Sequence, residues 1–195
     1  MLVMDFAGYA TEVKSAHFGK GQWTLHPIVA FFNDPSLECL RQHVIMVFPD
    51  DTAHDYHAVQ KFTEVALKNF ISPIKELIMW SDGCATQYKG KGSFADLSLS
   101  SAFSPKVQRC YFSSEHGKGE ADGATGILSQ VMSRAVSEGC VFCNAKDMFN
   151  WASQIWRKQL DPAPQHSILL ITMTSPETDP EQMWQFYLEP DLFIK

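Results

Sequence analysis

Three aspartates stand where a carboxylate needs a reason. Asp5 lies in LVMDFA, between Val3, Met4 and Phe6. An ionised group on such a strand costs several kcal/mol to desolvate unless a cation or hydrogen-bond donors compensate. Asp82 ends the apolar run ELIMWSD, and sites in α/β sheets form at the carboxyl ends of strands. Asp122 follows 40 residues later (122 − 82) in the glycine-rich stretch SEHGKGEADGATG. Three carboxylates brought together repel one another, so their convergence makes sense as a ligand set for hard divalent cations, Mg2+ or Mn2+. Two such ions activate a water or a 3′-hydroxyl and stabilise the leaving oxygen in phosphoryl transfer. Taken singly, the acids have plainer explanations: Asp82 starts a turn before Gly83, and Asp122 caps a helix.

The glycine-rich stretch does not read as a phosphate cradle. Lys118 lies between Gly117 and Gly119, and no Lys follows a second glycine at the spacing of a Walker loop; the third glycine of a dinucleotide fingerprint falls on Asp122. A sharp turn that carries Asp122 to the mouth of the helix-like run GILSQVMSRAVSEG fits better, with Gly117, Gly119 and Gly123 giving the backbone its freedom. His116 and Lys118 are then free to meet phosphates, as are Lys89 and Lys91 after Asp82. Lys14, His17 and Lys20 form a further basic cluster, although solvated loops explain any one cluster equally well.

Other chemistries are less complete. CVFC (Cys140 to Cys143) has zinc-ligand spacing without a second pair to finish a four-ligand site. His54 and His57 in HDYHAV share a predicted helix face, but capping by Asp51, Thr52 or Asp55 accounts for the polarity. His26, before Pro27, reads as structural, and Cys84 has no partner signature of a thiol nucleophile.

The elements that must position these residues are legible in the hydrophobic pattern. At 195 residues, with 45% hydrophobic and 19% charged side chains, the chain supports one well-buried domain. LVMDFAGYA, QWTLHPIVAFF and HVIMVFP are β-rich runs that predict an antiparallel meander. DDTAHDYHAVQKFTEVALKNF predicts a long amphipathic helix with Val59, Phe62, Val65, Ala66 and Phe70 on its apolar face. ELIMWS is a strand buried on both faces, KVQRCYF another, followed by helices over Gly126–Glu138 and NAKDMFNWASQIWRKQ. DPAPQ is a linker to SILLITMT and EQMWQFYLEPDLF, one or two edge strands. Three antiparallel strands, then parallel strands with flanking helices, is the order of a ribonuclease H-like α/β mixed sheet. The domain is expected over residues 1–160, with 161–195 a linker and edge extension packed on it.

Several motifs also resemble a family. MDFAGYA, TLHPIVAFF, HDYHAV, WSDGCATQYKGK, FADLS and HGKGEADGATG are similar to successive motifs of transposase-derived proteins of animal genomes. Those resemble the ribonuclease H-like catalytic core of DDE/D-type transposases. The resemblance implies metal-dependent DNA cleavage or strand transfer, with Asp5 on the first strand, Asp82 after the central strand and Asp122 in the third acidic position. Glu120 and Glu115 stand close enough to take that third place instead. It implies DNA as partner, Mg2+ or Mn2+ as cofactor and a nuclear location. A net charge of −6 argues against coating nucleic acid by charge alone, yet suits an acidic active site. No apolar run is long enough to span a bilayer, and the scattered, odd-numbered cysteines suit a reducing compartment. No DNA-targeting module is recognisable, so the expectation is a catalytic fragment of a longer protein, able to self-associate, or a remnant. The alternative from a different class is a domesticated, catalytically silent module that binds nucleic acid or protein.

Overall fold

The computed structural model describes residues 1–4, 7–10, 22–34, 38–49, 55–70, 74–100, 106–112, 119–159, 166–173 and 185–186. Its sheet begins with β1 (Leu2–Met4) and β2 (Ala7–Ala10), both paired antiparallel with β3 (Gln22–Asp34). One register runs through both pairings, from Leu2↔Ala30 and Met4↔Ile28 to Ala7↔Leu25, so β1 and β2 are two stretches of one hairpin arm. β3 turns into β4 (Cys39–Pro49) through Glu38, which takes a positive φ of 51°. β5 (Glu76–Ser81) lies parallel to β1, and β6 (Lys106–Tyr111) parallel to β5. The order β4-β3-β1-β5-β6 is the 3-2-1-4-5 order of a ribonuclease H-like α/β fold. On its other edge β7 (His166–Met173) runs parallel to β4 along the whole of its length, from Gln42↔His166 to Pro49↔Met173, and β8 (Gln185–Phe186) closes the end.

Helices cover both faces because strand residues alternate. Leu2, Met4, Ile28, Ala30, Ile45, Val47, Leu77 and Met79 point to one face, where α1 (Tyr56–Phe70) buries Val59, Phe62, Val65 and Ala66 on them. These are four of the five residues expected on the apolar face, the side chain of Phe70 lying outside the described residues, and each large side chain so buried contributes about 1.5–3 kcal/mol. Asp55 begins the helix, its Oδ1 accepting the Ala58 N–H at 2.9 Å, one of the capping residues anticipated above. On the opposite face lie α3 (Glu120–Ser137), over β1 and β3, and α4 (Ala145–Gln159), over β4 and β7. Leu128, Met132, Met148 and Phe149 fill the layer between them and Leu25, Met46 and Phe48. α3 stops at Gly139, whose φ of +100° admits few other residues; its N–H donates to Val136 O, and that of Cys140 to Ala135 O.

Two elements depart from the expectation. α3 begins at Glu120, not Gly126, because Ala121, Thr125 and Leu128 extend the buried stripe back by more than a turn. A short helix, α2 (Lys91–Ser100), lies between β5 and β6 where only connection was foreseen. Its sequence KGSFADLSLS carries no apolar stripe, and Ser93 is its one fully buried side chain among the described residues.

Candidate functional site

β5 is built to deliver Asp82. Leu77, Met79 and Ser81 are buried on the α1 face, while on the other face Trp80 packs with Val3, Val29 and Ala121 but Ile78 stays 39% exposed, so β5 is not buried on both faces as its apolar run suggested. The strand ends as the Phe112 N–H donates to Ser81 O at 2.9 Å, and Asp82 follows half-buried. Asp82 Oδ1 accepts the Cys84 N–H at 3.0 Å, so the turn-starting role read from Asp-Gly is real. The second carboxylate oxygen is not engaged in that turn, which leaves a turn role and a ligand role compatible.

The motif after Asp82 is a scaffold. Tyr88 and Lys89 N–H groups both donate to Cys84 O, at 2.9 and 3.0 Å. The Tyr88 ring is buried in the α1 layer, stacked 6.5 Å from His26, which is itself fully buried as expected of a structural histidine. A Cβ on Gly90 would fall 2.5 Å from Ala85 O, and one on Gly92 2.7 Å from the Tyr56 ring. These two glycines of YKGKG serve close approach. Ser93 Oγ donates to Tyr88 O at 2.5 Å, and Tyr111 Oη to the same carbonyl at 3.1 Å. Arg109, from β6, donates to Ser93 Oγ and pairs with Asp96 at 2.7 Å. Asp96 Oδ1 also accepts from Gln60 Nε2 of α1 at 3.1 Å. Tyr88, Ser93, Asp96 and Arg109 were not singled out from sequence. The available signal was an arginine inside the strand-like KVQRCY, which needs an anion when its neighbours are covered.

The start of α3 is open by contrast. Gly119 is the N-cap, extended at φ −129° and ψ −165°, with no side-chain cap, and its Cα lies where a Cβ would come 3.9 Å from Val3 Cγ1. Ala121 is buried against Val3 and Val29. Glu120 and Asp122 are both exposed in the first helical turn. Asp122 therefore belongs to the helix, and neither caps it nor sits in a preceding turn; Gly123 is helical too, with nothing within 4 Å of an added Cβ. At roughly 100° per residue, Glu120 and Asp122 lie about 200° apart, on opposite flanks of the buried stripe.

Asp5 lies outside the described residues, as do His116, Lys118, His54 and the Lys14, His17 and Lys20 cluster. What the described strands fix around that first position is register. Leu2 pairs with Met79 and Val3 with Trp80, an offset of 77 (79 − 2). Asp5 and Asp82 differ by the same 77 (82 − 5) in the sequence.

Among the described residues no group of three or more His, Cys, Asp or Glu is placed to hold a metal ion. His57 is exposed beside the Tyr56 ring, 4.6 Å away, and Cys140 and Cys143 are free thiols in the α3–α4 connection. Cys84 is half-buried, its Sγ 3.3 Å from Thr86 Oγ1. Lys89 and Lys91 are exposed, Lys89 with its ammonium 5.3 Å from the Tyr111 ring centroid. No described helix is long and apolar enough to cross a membrane.

Neither the curated proteins nor the solved structures compared with the chain give a match. A protein-family profile does match, over residues 1–173, and so from β1 through the whole of β7. The chain belongs to that family, described as a domain of unknown function (DUF8701).

Proposed function

We propose that the chain is a metal-dependent DNA-processing domain, a DDE/D-type transposase or nuclease core that cleaves or transfers DNA strands. One observation carries this reading: β1 and β5 are adjacent and parallel, and each is followed in sequence by an aspartate at the same offset of 77 as the strand register. Asp5 and Asp82 are then the first two metal ligands. The third comes from the first turn of α3, Asp122 or Glu120, whose neighbour Ala121 packs on Val3 of β1. Mg2+ or Mn2+ bound there supplies the Lewis acidity that phosphoryl transfer needs. The chain's own residues hold the ions at the strand ends and bring the DNA backbone to them. Exposed Lys89 and Lys91, with His116 and Lys118, are suited to phosphate contacts, because such contacts position a duplex without reading its sequence. Targeting falls to a DNA-binding domain outside this chain, a second copy of the chain is a further partner, and the nucleus is where the substrate resides.

The test is a Mg2+ and Mn2+ titration followed by a nicking assay on supercoiled DNA, with Asp82→Asn alongside. Metal-dependent nicking by the wild type that Asp82→Asn abolishes is the expected result. A wild type that neither nicks DNA nor gains thermal stability with millimolar metal leaves the silent binding module as the better reading.

A further inference from the structure

We infer that Arg109 is a positioning residue, acting through Ser93 to hold the turn that presents Asp82. The idea takes its functional meaning from the metal site proposed above, but its geometry stands independently. Arg109 is largely covered, with 12% of its side-chain surface exposed, and its partner Asp96 retains 25%. A strand arginine so enclosed is held for its guanidinium, which forks between two acceptors on α2. One arm meets Asp96 Oδ2; the other meets Ser93 Oγ, and Ser93 in turn donates to Tyr88 O. Tyr88 closes the turn back onto Cys84 through its N–H, and Cys84 is the residue whose N–H holds Asp82 Oδ1. Each link is a direct contact, and the path runs from β6 to the candidate ligand through the backbone of Tyr88 and Cys84.

The glycines between Tyr88 and Ser93 belong to the same arrangement. A Cβ would fall 2.5 Å from Ala85 O at Gly90 and 2.7 Å from the Tyr56 ring at Gly92, so the bare backbone lets the start of α2 lie against the turn and α1. Gln60 occupies Asp96 Oδ1, so Asp96 is fixed from α1 while its other oxygen holds Arg109. Three elements thus brace one short turn. A lysine in place of Arg109 would keep the charge and lose the fork, since an ammonium is a point donor on a flexible stem.

Amide hydrogen exchange on the full chain tests this directly, because the three N–H groups that define the turn belong to Cys84, Tyr88 and Lys89. In Arg109→Lys and in Ser93→Ala these amides should exchange about tenfold faster than in the wild type, while the strand amides of β3 keep their protection. Val65→Ala, a core truncation in α1, serves as the control for general destabilisation and should leave the three amides in step with the rest of the protein. Exchange at Cys84, Tyr88 and Lys89 that stays at the wild-type rate in Ser93→Ala, or that rises no more than in Val65→Ala, overturns the assignment. Mn2+ affinity, read by water-proton relaxation on the same proteins, supplies the functional readout. Loss of outer supports around a ligand weakens metal binding about tenfold or more, so Ser93→Ala and Arg109→Lys should do so and Val65→Ala should not. Wild-type protein that binds no Mn2+ sinks the metal reading alone, since the exchange result still decides whether Arg109 holds the turn.

Discussion

Asp82 leaves β5 into a turn braced from α1, α2 and β6, whereas Glu120 and Asp122 stand exposed on the first turn of α3, behind a glycine that caps without a side chain. The two regions carry acids of the same chemistry in opposite mechanical settings. In the first, hydrogen bonds and the bare backbone at Gly90 fix where one carboxylate can go before any ligand arrives. In the second, the helix axis is fixed by Ala121, Leu128 and Met132, yet the flanking acids keep their rotamers and their water. A preorganised ligand loses little on binding an ion, while an adjustable one adapts to the ion's preferred geometry at an entropic cost. On the proposed reading, Asp82 and Asp5 define the site and the α3 acid completes it.

The largest expected effects separate these roles. Asp82→Asn should abolish metal-dependent nicking and remove most of any metal-induced rise in melting temperature, with far-UV circular dichroism unchanged. Of Glu120→Ala and Asp122→Ala, one should match that loss and the other should retain activity within about threefold, because the two acids lie on opposite flanks of the buried stripe and only one of them can join a single metal site. Nicking that survives both substitutions breaks the comparison, for α3 would then supply no ligand.

Next in size are the glycines, whose neighbourhoods differ as the acids do. Gly90→Ala sets a Cβ 2.5 Å from the Ala85 carbonyl oxygen, a backbone atom with little room to yield, and should cost about 1–3 kcal/mol in urea unfolding. Gly92→Ala meets the Tyr56 ring and should cost less, since a side chain can shift. Gly123→Ala, in the middle of the first turns of α3 with open space around it, should instead stabilise by about 0.5–1 kcal/mol. Equal and opposite outcomes would mean that the glycine-rich stretch is the constrained one after all.

The same contrast explains which parts were legible in the sequence. Strand order was readable because ELIMWS and the β3 and β4 runs are apolar enough to leave few alternatives, and Asp82 followed from the end of one of them. The α1 face was readable because Val59, Phe62, Val65 and Ala66 keep helical spacing. The beginning of α3 was hidden by Gly123 and Gly126, which suggest a turn even though the helix tolerates them where nothing packs. α2 was hidden for a different reason: it is held by Ser93 and Asp96 through hydrogen bonds to β6 and α1, and Phe94 and Leu99 are exposed, so its residues show no apolar period. Polar networks of this kind depend on partners distant in sequence, Gln60 and Arg109 here, and a local pattern does not disclose them.

The smallest effect concerns Lys89, which belongs to the braced turn but points outward. Its backbone N–H is committed to Cys84 O, while its ammonium rests over the Tyr111 ring at 5.3 Å. An exposed cation–π contact of this kind is worth about 0.5–1 kcal/mol, so Lys89→Ala should lower stability only slightly. If the lysine meets a DNA phosphate, the consequence appears in binding: removing one such contact reduces counterion release, and the slope of log K against log salt should become shallower by about one. Fluorescence anisotropy with a labelled duplex at several salt concentrations measures both affinity and slope. Lys118→Ala, in the glycine-rich stretch before α3, should give a slope change of the same size if both regions flank one DNA path. A change for Lys89→Ala with none for Lys118→Ala would place the DNA on the braced side alone, and the reverse would leave Lys89 as a brace for Tyr111.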